Sequence, residues 1–261
     1  MRSRSLVGVA LVAVAGVSCA GGEDAQEPAD TSDITRSLLS QPAGGGDASP
    51  VEGAPEVVGR MTRAYLPDLG FNHGEVEALL KVIEFSDFGC GYCRRFHEES
   101  FPTLKSQFID TGMIEWKFLP FITGTFGNSL AVTEAAECTL EQDAGAYQAF
   151  GEMLWARQQE WKPSAEPEPM VRGWAGELGL DMDRFDSCLA EDRRFERVAG
   201  ATVAANQLGV RATPTFWIVG YGPLQGALPL DAFQGIFSTI YAEVAAAAVD
   251  SVAGAPGPPG A

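Results

Sequence analysis

The 261-residue sequence predicts an α/β domain, and three stretches carry that expectation. A β-prone run, Val82-Ile83-Glu84-Phe85, leads through a Gly-bearing turn into Cys90-Gly91-Tyr92-Cys93 and then an amphipathic segment. Ile114 to Phe118 alternates apolar and polar residues as a strand does. A long helical stretch follows, and a second β-prone run, Thr215 to Val219, comes directly after Pro214, which marks a strand entrance.

Residues 1–19 read as an export signal. Arg2 and Arg4 give a charged start, Leu6 to Val17 an apolar centre too short to span a membrane, and Gly16 to Cys19 a small-residue cleavage region. This ending resembles the bacterial lipobox, which implies lipidation at Cys19; an ordinary cleaved signal is the alternative. Residues 20–74 are rich in Gly, Ala, Pro and acidic side chains and predict a flexible tether, although Tyr65, Leu66, Leu69 and Phe71 fit a short segment packed on the domain. The folded domain is expected over 75–248, and a disordered tail over 249–261. The net charge of −17 argues against nucleic acid as a partner, because a phosphate backbone would be repelled.

Within the domain, the first strand spans Leu79 to Phe85. Glu84 inside it is either an edge-facing, solvated carboxylate or a buried acid with a task, because an unpartnered buried charge is costly. The helix after Cys93 turns Phe96, Phe101, Leu104 and Phe108 inward, is kinked by Pro102 and ends at Thr111-Gly112. Three amphipathic segments follow: Tyr147, Phe150 and Leu154; Val171, Trp174, Ala175 and Leu178; and Phe185, Cys188 and Leu189 behind a cap at Asp181. Pro163, Pro167 and Pro169 break the first from the second. A further helix carries Val198 to Leu208 and stops at Gly209, Gly222 to Ala227 makes a hairpin partner, and Leu230 to Val244 forms the closing helix.

Two cysteines separated by two residues, between a strand and a helix, read as a redox centre. A thiol at a helix N-terminus faces unpaired N–H groups and the positive end of the helix dipole, so its thiolate is favoured. Haem attachment requires His where Arg94 stands, and zinc requires ligands beyond Cys90, Cys93 and His97. A purely structural staple over so short a loop would restrain little. No metal or other cofactor is therefore expected. His97, as a lone histidine, reads as a surface residue; Asp87 fits a role in shaping the turn; Phe88 and Tyr92 fit either a client groove or packing.

The strand–Cys-x-x-Cys–helix unit, together with Val210-Arg-Ala-Thr-Pro-Thr-Phe216, resembles the thioredoxin superfamily. The helical stretch between them is similar to the DsbA-like branch, the disulfide oxidoreductases of the bacterial envelope, over residues 75–248. The resemblance implies a thioredoxin-like fold, a central mixed sheet flanked by helices, with an inserted α-helical domain at about 127–208. It also implies a cis peptide bond between Thr213 and Pro214, with that loop lying against the cysteines and pairing with the substrate backbone beside Gly91 and Tyr92. Glu84 matches the family's buried acid. Cys138 and Cys188 fit two inert thiols or a disulfide; export favours pairing, and the positions look similar to a structural disulfide of some relatives.

These readings lead to a thiol–disulfide exchange enzyme in which Cys90, exposed at the helix start, is the nucleophile, Cys93 resolves and Glu84 handles the proton. The expected partners are cysteine-containing exported proteins, a membrane redox partner that recharges the pair, and the membrane itself through a lipid anchor. An oxidase is the favoured direction. Gly91-Tyr92 and Thr213 resemble isomerases instead, and a reductase or a non-catalytic, tethered chaperone module are the remaining alternatives.

Overall fold

The computed structural model describes residues 68–253. The export signal, Cys19, residues 20–67 and the segment beyond 253 lie outside the described residues. Five strands form one mixed sheet: β1 (Phe71–His73), β2 (Leu80–Ser86), β3 (Ile114–Pro120), β4 (Thr215–Ile218) and β5 (Gly222–Gln225). They lie in the order β1-β3-β2-β4-β5, with β2 and β3 parallel and the other pairs antiparallel. β2 is the centre, paired on both sides and buried from Val82 through Ser86. A strand covered on both faces reads as a near-continuous apolar run, which is how Val82 to Phe85 reads apart from Glu84.

A helical run, α1 (Gly91–Ile109), follows β2. It is not a uniform α-helix: α segments at Gly91–Arg95 and Phe101–Leu104 alternate with π segments at Phe96–Ser100 and Lys105–Ile109. Pro102 has no N–H to give to the turn before it, and the Phe101 N–H reaches back five residues to the Phe96 carbonyl. The expected kink is thus a pair of widened turns. Gly112, at φ +75, ends the run in the left-handed region, where glycine is unstrained.

Between β3 and β4 lies the inserted helical domain: α2 (Ser129–Leu140), α3 (Ala144–Ala156), α4 (Gln158–Trp161), α5 (Glu168–Glu177), α6 (Met182–Ala190) and α7 (Phe195–Gln207). Asp143 and Asp181 cap α3 and α6 by accepting from the Ala146 and Arg184 N–H groups. Pro169, expected from sequence to lie in the break, stands instead in the first turn of α5, where a missing N–H costs nothing. The chain closes with α8 (Leu230–Ala253). Leu230–Val249 is long and apolar enough to cross a membrane; its Phe233, Ile236, Phe237 and Ile240 are buried in the core.

Three apolar cores result. α1 and α8 cover one sheet face, with Phe96, Leu104 and Phe237 in one core with Trp116 and Phe216 of the sheet, while α7 covers the other with Ala201, Ala204 and Ala205 against Ile83 and Phe85. The insertion has its own core of Phe150, Trp161, Trp174 and Phe185, which reaches back to Phe88, Cys90 and Cys93. Two expected boundaries shift. Phe71–His73 pairs with β3, so the sheet begins inside the expected tether of 20–74; α8 runs to Ala253, so the tail expected from 249 starts as helix.

Candidate active site

Alternation along β2 turns Glu84 and Ser86 to the α1 face of the sheet, beneath the cysteines, while Phe85 faces α7. The chain leaves β2 through Asp87, a buried carboxylate that builds the next turn. Its Oδ1 accepts from the Gly89 N–H at 2.8 Å and from the Ser129 hydroxyl, its Oδ2 accepts from the Thr123 N–H at 3.3 Å, and its carbonyl accepts from the Cys90 N–H at 2.9 Å. Gly89 is required here, because a Cβ would collide with Ser129 Oγ and Phe126.

Cys90 is the N-cap of α1, which begins at Gly91, three residues earlier than a start after Cys93 implies. The Cys93 N–H donates to Cys90 Sγ at 3.4 Å, the role a capping oxygen usually plays. Across the site the Thr213–Pro214 peptide bond is cis, and Cys90 Sγ donates to the Thr213 carbonyl at 3.4 Å. Cys90 is only 4% exposed, against the exposed nucleophile expected from sequence, because Phe88, the Pro214 loop and the insertion core crowd it. Beside it Gly91 and Tyr92 are exposed, Tyr92 at 61%, with the Arg95 guanidinium 5.3 Å from its ring centre. Cys93 is fully buried, and both are present as thiols.

The two sulfurs differ in acidity. Cys90 is lowered to about 6, chiefly by the Cys93 thiol that donates to it; burial opposes, while the Thr213 side chain and the Cys93 and Tyr92 N–H groups reinforce. Cys93 is pushed well up by burial and by the neighbouring Cys90. The pair therefore has one sulfur favoured as thiolate and one held as thiol.

Glu84 is fully buried. Burial pushes its carboxyl up, but His97, Ser86 and Trp116 more than offset this and its pKa is lowered. Its Oε1 lies 2.7 Å from His97 Nε2, and Trp116 Nε1 donates to Oε2 at 3.0 Å. The solvated-edge reading of Glu84 is thereby excluded, and so is His97 as a surface residue: the imidazole stacks on Trp155 with centroids 4.6 Å apart. His97 lies one helical turn beyond the buried Cys93 and shares its inward helix face. Both histidines of the chain, His73 and His97, line one cavity of about 690 Å³ between α1 and α3. The Ser86 hydroxyl is buried without a well-formed hydrogen bond, yet it favours the ionised form of both Glu84 and Cys93.

Cys138 and Cys188 are joined by a disulfide that ties α2 to α6. Sequence reasoning passed over Gln158, Trp116 and Ser129; they reach the site from other elements, and no local motif marks them. Among the described residues no cluster of three or more His, Cys, Asp or Glu side chains could hold a metal ion.

A cysteine pair at a helix start, facing a cis-proline loop on a mixed sheet with a helical insertion, defines a thioredoxin-like thiol–disulfide site. The chain belongs to the thioredoxin family: the family model described as Thioredoxin matches residues 70–236. It is 33% identical over 162 residues to Na(+)/H(+) antiporter NhaA 3 of Salinispora tropica, covering 60% of this chain and 23% of the antiporter. Disulfide bond formation protein D of Bacillus subtilis is 27% identical over 159 residues, covering 56% of this chain and 65% of that protein. The chain thus spans less than two thirds of the length of these relatives. Oxidised BdbD from Bacillus subtilis shares the fold with TM-score 0.59 at 19% identity, covering 65% of this chain and 91% of that one. Wolbachia pipientis alpha-DsbA1 does so with TM-score 0.64 at 21% identity, covering 74% and 98%.

Proposed function

We propose that this protein is an envelope thiol:disulfide oxidoreductase that exchanges disulfides with exported, cysteine-containing proteins through Cys90 and Cys93, chiefly as an oxidase. The observation that carries the reading is the Cys90 sulfur, capped by the Cys93 N–H at 3.4 Å and facing the Thr213 carbonyl at 3.4 Å. A client thiolate attacks Cys90 Sγ of the oxidised pair, the Cys90–Cys93 bond breaks, and Cys93 leaves and takes up a proton. A second client thiolate then attacks the client sulfur of the mixed disulfide and releases Cys90 as thiolate. Two electrons pass from client to pair; of the two client protons one ends on Cys93 and the other in solvent.

The stabilised leaving group supports the oxidase direction. A thiolate favoured in the reduced form makes the disulfide a stronger oxidant and speeds release of the client. At about 6, Cys90 lies between thioredoxin's value of about 7 and DsbA's of about 3.5. Thr213 and Pro214 offer backbone beside the sulfur for an extended client segment, with Gly91 and Tyr92 on the open side. Glu84 and His97, with Ser86 between Glu84 and the sulfurs, relay the proton of Cys93, supplying it as the Cys90–Cys93 bond opens and accepting it when the pair is reoxidised. A membrane redox partner would reoxidise the pair, and lipidation at Cys19 would hold the domain at the membrane.

The test is insulin-disulfide reduction and oxidative refolding of a reduced client, with the equilibrium potential measured against glutathione. Cys90→Ser should abolish both activities, and Cys93→Ser should trap a mixed disulfide. The potential is expected between about −270 and about −120 mV, the thioredoxin and DsbA values. Retained turnover in Cys90→Ser refutes the assignment; a potential below thioredoxin's makes the protein a reductase.

A further inference from the structure

We propose that Gln158 is a positioning residue of the redox pair: from the inserted domain it holds the Cys90 carbonyl and so keeps the Cys93 N–H trained on the Cys90 sulfur. This rests on exchange at Cys90 and Cys93 as set out above. Gln158 opens α4 and is fully buried. Its Nε2 donates to the Phe88 carbonyl at 2.6 Å and to the Cys90 carbonyl at 2.9 Å. Both partners only accept, so the amide sits one way round, and both of its hydrogens are used. Its Oε1 is then left buried without a donor. An unpaired buried oxygen of this kind costs about 1–3 kcal/mol, and a leucine or methionine in the same place would avoid it. What glutamine adds at this place is its nitrogen.

The nitrogen completes the restraint of the turn. Gly89 and Cys90 give their N–H groups to Asp87, and the Cys90 carbonyl accepts from the Arg94 N–H at 3.1 Å. The next residue, Gly91, is open, with nothing within 4 Å of where a Cβ would stand. No packing on that side fixes the Cys90–Gly91 peptide plane, so the helical bond from the Arg94 N–H and the Gln158 amide hold it between them, Gln158 from outside the helix. That plane leads directly into the first-turn N–H groups that face the sulfur. If it tilts, those donors move off Cys90 while the fold around them persists.

Gln158→Met, which keeps the volume and removes the donors, tests this in the full chain. Ultraviolet titration of the thiolate should show the Cys90 pKa rising by about half a unit to one unit, and the glutathione equilibrium should shift about three- to tenfold toward the disulfide form. Gln158→His returns one donor and should fall between wild type and Gln158→Met, which keeps the comparison available if the methionine variant does not fold. Val171→Ala, in the insertion core away from the turn, supplies a destabilised control with an unshifted thiolate. If the Gln158 variants melt earlier but titrate like wild type, Gln158 is structural only and the proposal fails. The titration needs no client, so this failure is distinct from a loss of exchange activity in the wild-type protein.

Discussion

At Glu84 the outcome is set by one neighbour. A carboxylate with no exposure would be held protonated by burial alone, and the lowered pKa exists because His97, above all, offsets that burial. Since the folded pKa lies below the ordinary 4.5, the pair contributes stability above that value and loses it as pH falls through the folded pKa. His97→Leu leaves the charge buried with only Ser86 and Trp116 beside it and should cost about 3–5 kcal/mol near neutral pH. Urea denaturation at a series of pH values should show the deficit shrinking on acidification; an equal deficit at neutral and acid pH would mean the histidine acts by packing alone. Glu84 was legible in the sequence because a charge interrupts an apolar strand. His97 was misjudged because its partner lies on another element, and Gln158 was invisible because its two acceptors are backbone atoms.

The elements were legible where periodicity or a capping residue is local, and illegible where the next turn depends on what it packs against. Alternation at Ile114 to Phe118 and the Pro214 entrance located β3 and β4 within a residue or two, and Asp181 announced α6. The π turns of α1 were not visible, since only Pro102 hints at them and their widening accommodates Phe96 and His97 against the sheet and α3. Asp143 was equally overlooked: it is the extended residue before α3 and accepts from the Ala146 N–H at 2.7 Å. Asp143→Ala leaves that N–H without its cap and should lower stability by about 1 kcal/mol. The expected signature is a lower urea midpoint at an unchanged slope; a changed slope would mean that α3 detaches rather than frays.

At the scale of the whole molecule, the insertion is the redox domain's second wall. Its core runs into Phe88, Cys90 and Cys93, while Ser129 and Gln158 grip the turn from opposite helices. Composition alone placed the domain start too late, because three residues of β1 carry too little pattern to be seen and owe their place to pairing with β3. Within the insertion, the Cys138–Cys188 bond closes a loop with a sequence separation of 50 and ties α2, which carries Ser129, to α6. Cross-linking a loop of that length removes about 4 kcal/mol of unfolded-state freedom in the chain-entropy model. The double variant Cys138→Ala, Cys188→Ala should therefore lose roughly that much by denaturant titration. The Cys90 titration should stay in place, because Asp87 and Gln158 still hold the turn in the folded state. A thiolate that shifts along with stability would show instead that the insertion's internal cross-link, and not the local clamp, sets the chemistry of the pair.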